Sequence, residues 1–207
     1  ILFLGIISIL ALAMPTAVLV FWLVRGVAAG EPLLLLWQAT YSSVLVSALA
    51  ALVTVLLAIP VAALIVRYPS LLSRLMEPVS YVGYALPGVV VALALVFFGV
   101  RYASPIYQTT WLLVFAYAVL FFPVALASIR SSLLQLNPRL EDAARGLGYT
   151  QLGVLIRVTV PLMRSGLIMG AAMVFLLTMK ELPATLILGP LGFNSLATAV
   201  WSASSEA

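Results

Sequence analysis

Residues 1–24 carry no charge, and apolar stretches of comparable length return four more times along the chain. A run of that length outlasts the ~20 residues that carry a helix across a ~30 Å hydrocarbon core. A first span is therefore expected over residues 1–24, closed by Arg25 and kinked at Pro15. Residues 32–66 are uncharged for 35 positions, about 52 Å as helix and too long for one crossing. The pattern divides them into an interfacial segment, 33–38, anchored by Trp37, and a second span, 39–66, bent at Pro60. Residues 67–77 read as a charged loop. A third span, 78–100, contains Leu86-Pro87-Gly88; a fourth, 109–129, contains Pro123; a fifth starts near Pro161 and runs to Met179 or beyond. An apolar segment from Leu196 reads as the beginning of a sixth.

Composition confirms the class. With 65% hydrophobic residues, 8% charged residues and a mean hydropathy of +1.25, the chain has too little polar surface to cover a soluble globule. It is expected to be an all-α, polytopic membrane helix bundle, with residues 1–207 as one domain, truncated at both ends. No charged segment precedes the first apolar run and no small-residue cleavage site follows it, so the first span is expected to remain in the membrane. Neither Cys nor His occurs, which excludes disulfides, thiolate chemistry, Ser–His–Asp sets and the usual transition-metal ligands. The net charge of +4 forms no basic stripe, and no nucleic-acid partner is expected.

Charge sets the orientation. If five spans alternate, the connections at 67–77 and 130–164 share a side and hold Arg67, Arg74, Arg130, Arg139, Arg145, Arg157 and Arg164, seven of ten basic residues. The excess of cations marks that side as cytoplasmic.

The most polar stretch of the chain lies there. Asn137 can cap a helix, Pro138 suits its first turn, and Glu141 and Asp142 lie near the positive end of its dipole. Leu140, Ala143, Ala144 and Leu147 recur at i, i+3, i+4 and i+7, giving one apolar face whose centre is only a methyl group thick. Gly148 can take the left-handed conformation that ends such a helix, and a second helix is expected from about Thr150 to Pro161. The product is a helix–turn–helix elbow over about 137–161.

The elbow resembles the cytoplasmic coupling motif of binding-protein-dependent ABC importer permeases, Glu-Ala-Ala, three residues, Gly, nine residues, Ile-x-Leu-Pro. Asp142-Ala143-Ala144, Gly148 and Val158-Thr159-Val160-Pro161 stand in those places, with Asp for Glu, Val for Ile and Val for Leu. Lys180-Glu181-Leu182-Pro183-Ala184-Thr185, with Phe193 and Leu196-Ala197-Thr198 beyond, resembles the ferric-iron branch, and the chain is similar to the second module of a two-module permease. The resemblance implies a type I importer permease fold and a bacterial inner-membrane location. It also implies a cytoplasmic ABC ATPase dimer, a second permease module in the same chain or as a dimer, and an extracytoplasmic solute-binding protein. Glu141, Asp142, Ala143, Ala144, Gly148 and Pro161 would couple the chain to the ATPase. The chain has no phosphate loop of its own, so ATP would be used by that partner and no cofactor is expected here. Thiamine, sulfate, polyamine and phosphonate stand as rival solutes.

Lys180 and Glu181 follow Arg164 after 15 uncharged residues, about 22 Å of helix, which puts them in the outer part of the membrane. With Pro87 and Gly88 they are candidates for the translocation pathway or its gate, beside the alternative of a pair snorkelling at the membrane edge. Thr185, Asn194 and Ser195 can offer oxygen contacts nearby, the only kind of ligand this chain has for a metal ion in transit. An ion-coupled secondary transporter is the rival class; every acidic residue except Glu181 lies in a connection or at an end, which disfavours it.

Overall fold

The computed structural model describes residues 2–28 and 33–206, and among these all regular structure is helical. Helix α1 spans Leu2–Ala28, with Pro15 inside it, and over Ile7–Ala28 its apolar side chains stay exposed rather than packing on the other helices. Helix α2, Leu33–Arg67, is unbroken for 35 residues. The expected division at 38/39 is therefore absent: the missing charge is accompanied by no helix breaker, so the helix runs on through Trp37. The region expected as a charged loop, 67–77, is mostly helix α3, Leu71–Ser80, started by a reciprocal cap in which Ser70 and Ser73 each accept from the other's backbone N–H.

The third span is not one straight helix. Helix α4, Val82–Ala85, ends at Leu86 and Pro87, and helix α5, Gly88–Tyr102, leaves the α3–α4 segment at 104°. Pro87 lacks the N–H that would continue the ladder and pushes Leu86 into an extended conformation, φ −96° and ψ 126°. After a 3₁₀ turn, Ser104–Ile106, helix α6, Thr110–Leu134, forms the axis of the bundle. The elbow follows as α7, Pro138–Gly146, and α8, Gln151–Val154, which passes through a π-helical turn, Leu155–Thr159, into α9, Val160–Leu162. Helix α10, Arg164–Met179, departs from that segment at 74°. Short helix α11, Pro183–Leu188, and helix α12, Leu196–Glu206, complete the described residues.

Small residues bring the long helices together. Ala50, Ala58 and Ala62 on α2 are fully buried, and so are Leu112, Leu113, Leu126, Ile129 and Leu133 on α6. Gly166 and Gly170 on α10 meet α6 at Ala125, Ser128 and Ser132, where a Cβ on Gly166 would lie 2.9 Å from the Ser128 carbonyl oxygen. This small-xxx-small contact lets two backbones approach in a lipid environment, where van der Waals packing rather than water exclusion holds helices together.

Candidate functional site

The elbow is built by local rules. Asn137 Oδ1 accepts from the Arg139 N–H at 3.0 Å, and Pro138 occupies the first helical position. At the other end Gly148, at φ +90°, donates to the Arg145 carbonyl at 2.9 Å, while the Tyr149 N–H reaches the Ala144 carbonyl at 3.3 Å. These are the two bonds of a Schellman ending, and they need the left-handed residue. No atom lies within 4 Å of where a Cβ on Gly148 would be. Thr150 then caps α8 through the Gly153 N–H. The Arg157 guanidinium lies 5.5 Å above the Tyr149 ring, closing the turn.

The expected apolar face divides in two. Leu140, Ala143 and Leu147 are exposed, Leu147 by 81%, whereas Ala144 is only 7% exposed. Ala144 shares the inward side with Glu141, and α7 packs there on α8 and the π turn. The two neighbouring acids also part. Asp142 faces outward and pairs with Arg145 at 3.1 Å, one turn along the helix. Glu141 points in: Arg67 Nε donates to its carboxylate at 3.0 Å, and Thr159 Oγ1 donates to it at 3.1 Å. Arg67 Nη2 donates further to the carbonyls of Leu133 and Leu136 at 3.2 and 3.1 Å, the open C-terminal end of α6. Neither Arg67 nor Thr159 was singled out as a partner, because 74 residues separate Arg67 from Glu141 and its place at the end of an apolar run read as topology. Pro161 lies in α9, just past the π turn.

The other candidates also come together. A Cβ on Gly88 would stand 2.7 Å from Glu181 Oε1, so the carboxylate lies across the start of α5, directly after the Pro87 break. The same oxygen accepts from the Ala184 N–H at 3.3 Å at the start of α11. The carboxylate thus faces two helix N-termini, whose partial positive charge favours it. Gly88 also abuts Leu120 of α6, ten residues and about 15 Å in from the first residue of that helix. Glu181 is therefore level with the middle of α6, because α10 ends at Met179 and the chain folds back against α5 and α6. Its hydrogen-bond partner is the Ala184 N–H of its own segment, with the start of α5 packed against it. Lys180 is exposed and, among the described residues, meets no carboxylate. Thr185 bonds to Tyr117 at 2.6 Å and to the Glu181 carbonyl, Ser195 bonds to Thr198, and Asn194 is exposed. Thr185 and Ser195, with Ser43, Ser47, Tyr117 and Thr178, which the sequence does not single out, line a cavity of about 10 Å³, room for one water.

The family model for the inner-membrane component of binding-protein-dependent transport systems matches residues 54–206, from the middle of α2 through the elbow to α12. The chain belongs to this family. Over 208 residues it is 36% identical to the Fe(3+)-transport system permease protein FbpB 2 of Haemophilus influenzae, covering 99% of this chain and 41% of that protein. It is 33% identical over 166 residues to the molybdenum transport system permease protein ModB of Escherichia coli, 72% of this chain and 70% of that one. It is 25% identical over 166 residues to the putative 2-aminoethylphosphonate transport system permease protein PhnV of Salmonella typhimurium, with 80% and 63% covered. The chain spans 41% of the length of the first of these relatives. Its family and its long apolar helices make it a multi-pass membrane protein, a transport component rather than an enzyme.

Proposed function

We propose that this chain is one permease domain of an ATP-driven importer, moving a solute received from an extracytoplasmic binding protein while a cytoplasmic ABC ATPase dimer hydrolyses ATP. A second permease module, in the same chain or as a separate subunit, completes the pathway. The observation that carries the reading is the elbow. Its outer face, Leu140, Ala143 and Leu147, is apolar, small at its centre and left open by the bundle, while its inner face is anchored by the Arg67–Glu141 pair. A short rigid helix anchored on one side and bare on the other suits insertion into an ATPase cleft. Asp142, beside that face, is the acid available to the partner, and Glu141 acts from behind. Ferric iron is the solute favoured here, on the similarity to a relative named for Fe(3+) transport; molybdenum and 2-aminoethylphosphonate, named for the other relatives, are the alternatives. Lys180, Glu181, Pro87 and Gly88 belong to the pathway or its gate, since Glu181 closes over the break in α5.

The test is reconstitution with the phosphate-loop ATPase of the same transport system. Ala143→Arg places a long charged side chain at the centre of the open face without touching the inner one. The variant is expected to accumulate in the membrane at the wild-type level and to lose both ATPase capture and stimulation of ATP hydrolysis. Capture and stimulation at the wild-type level would refute the docking role.

A further inference from the structure

Helix α7 packs on α8 and the π turn, and its N-terminal backbone link to the bundle is the short connection Gln135-Leu136-Asn137. Between the last turns of α2 and the α8 segment there is an open cavity of about 320 Å³, bordered by Pro60, Leu64, Leu152 and Leu155. Displacement is transmitted by packed contacts, and across this cavity packing is missing. The groups that span its edge are Arg67, Glu141 and Thr159. Their side chains are nearly enclosed, with Arg67 13% and Glu141 10% exposed. Between them they join the last residue of α2, the C-terminal carbonyls of α6, the first turn of α7 and the last residue of the π turn. The π turn itself inserts an extra residue into the α8–α9 helix, a register shift that ends on Thr159 and sets the hydroxyl against Glu141.

We propose that Arg67 and Glu141, with Thr159, are positioning residues that make the elbow and α2 move as one body, so that a displacement imposed on α7 by a docked ATPase reaches the membrane helices. This rests on the importer reading above. A nearly enclosed, hydrogen-bonded ion pair is short-ranged and directional, and opening it leaves a charge enclosed without its partner, so it resists separation of the elements it joins. Glu141 needs no contact with the ATPase to serve in this way.

The natural absence of cysteine allows two labels without background. Spin labels on Gly146→Cys in the elbow and Leu56→Cys on the exposed side of α2 report the distance between the two bodies. The full chain, purified in nanodiscs with its ATPase, is measured without nucleotide and in the ATP-bound state. With the pair intact, the distance distribution is expected to stay the same in both states. In Glu141→Gln it is expected to match wild type without nucleotide and then to shift by about 2–5 Å and broaden when ATP binds, the size of a helix shift or a one-turn slip. Thr159→Val, isosteric and lacking only the hydroxyl, is the second variant and is expected to shift in the same direction by less. A distance in Glu141→Gln that is independent of nucleotide while the ATPase remains bound would overturn the proposal. So would a distribution already broadened without nucleotide, which marks a purely structural role. Failure of the wild-type chain to bind the ATPase at all would instead refute the importer reading.

Discussion

Gly148 offers the cleanest separation of backbone conformation from steric fit. It stands at φ +90° with nothing within 4 Å of a Cβ, while Gly146, two residues earlier, is the last residue of α7, equally free of neighbours and helical. The same substitution to Ala therefore adds the same methyl to the same open space and differs only in φ. At Gly148 the left-handed conformation costs an L-residue about 1–2 kcal/mol. At Gly146 the loss of unfolded-state freedom stabilises by about 0.4–1 kcal/mol. The last helical bond, from Leu147 to the Ala143 carbonyl, and the two Schellman bonds, from Gly148 to the Arg145 carbonyl and from Tyr149 to the Ala144 carbonyl, report the opening of this end directly. Amide hydrogen exchange in nanodiscs is thus expected to speed up about 5- to 30-fold at these three amides in Gly148→Ala and to slow about two- to fivefold in Gly146→Ala. Exchange in Gly148→Ala within twofold of wild type, or a change in the same direction in both variants, would refute the conformational account. It would favour smallness for a close partner as the reason for this glycine.

Gly166→Leu is expected to lower the apparent melting temperature in detergent by several degrees, because its Cβ meets the Ser128 carbonyl oxygen at 2.9 Å; Gly5→Leu, with no atom within 4 Å, serves as the unaffected control. Glu181→Gln removes the charge facing the starts of α5 and α11 with little change in shape, and is expected to cut solute uptake in proteoliposomes while ATPase capture persists; normal uptake would leave Glu181 with only a packing role at those two helix starts. A cysteine at Gly146 is expected to be labelled by an impermeant thiol reagent only from the cytoplasmic side, and one at Ser104 only from the opposite side; labelling of both from one side would refute the orientation.

The apolar runs, the break at Pro87 and both ends of α7 are legible in the sequence because their causes are local. An uncharged run longer than the hydrocarbon core has to be helical to satisfy its backbone, Asn137 and Pro138 start α7 from their own chemistry, and Gly148 ends it by a conformation that other residues reach only at a cost. The helix through Trp37 escaped the same reasoning, since length in the membrane argues for a boundary that no residue there enforces. Tertiary structure alone decided what a periodic face looks at. A spacing of i, i+3, i+4 and i+7 puts Leu140, Ala143, Ala144 and Leu147 together, but only the position of α8 and the π turn buries Ala144 and leaves the other three open. Adjacent acids in a helix point about 100° apart. Which of the two turned inward was determined by Arg67, 74 residues away from Glu141, and by Thr159. The meeting of Glu181 with Gly88 has the same origin: two helix breaks far apart in the chain face each other once α5 turns by 104° and α11 folds back against it.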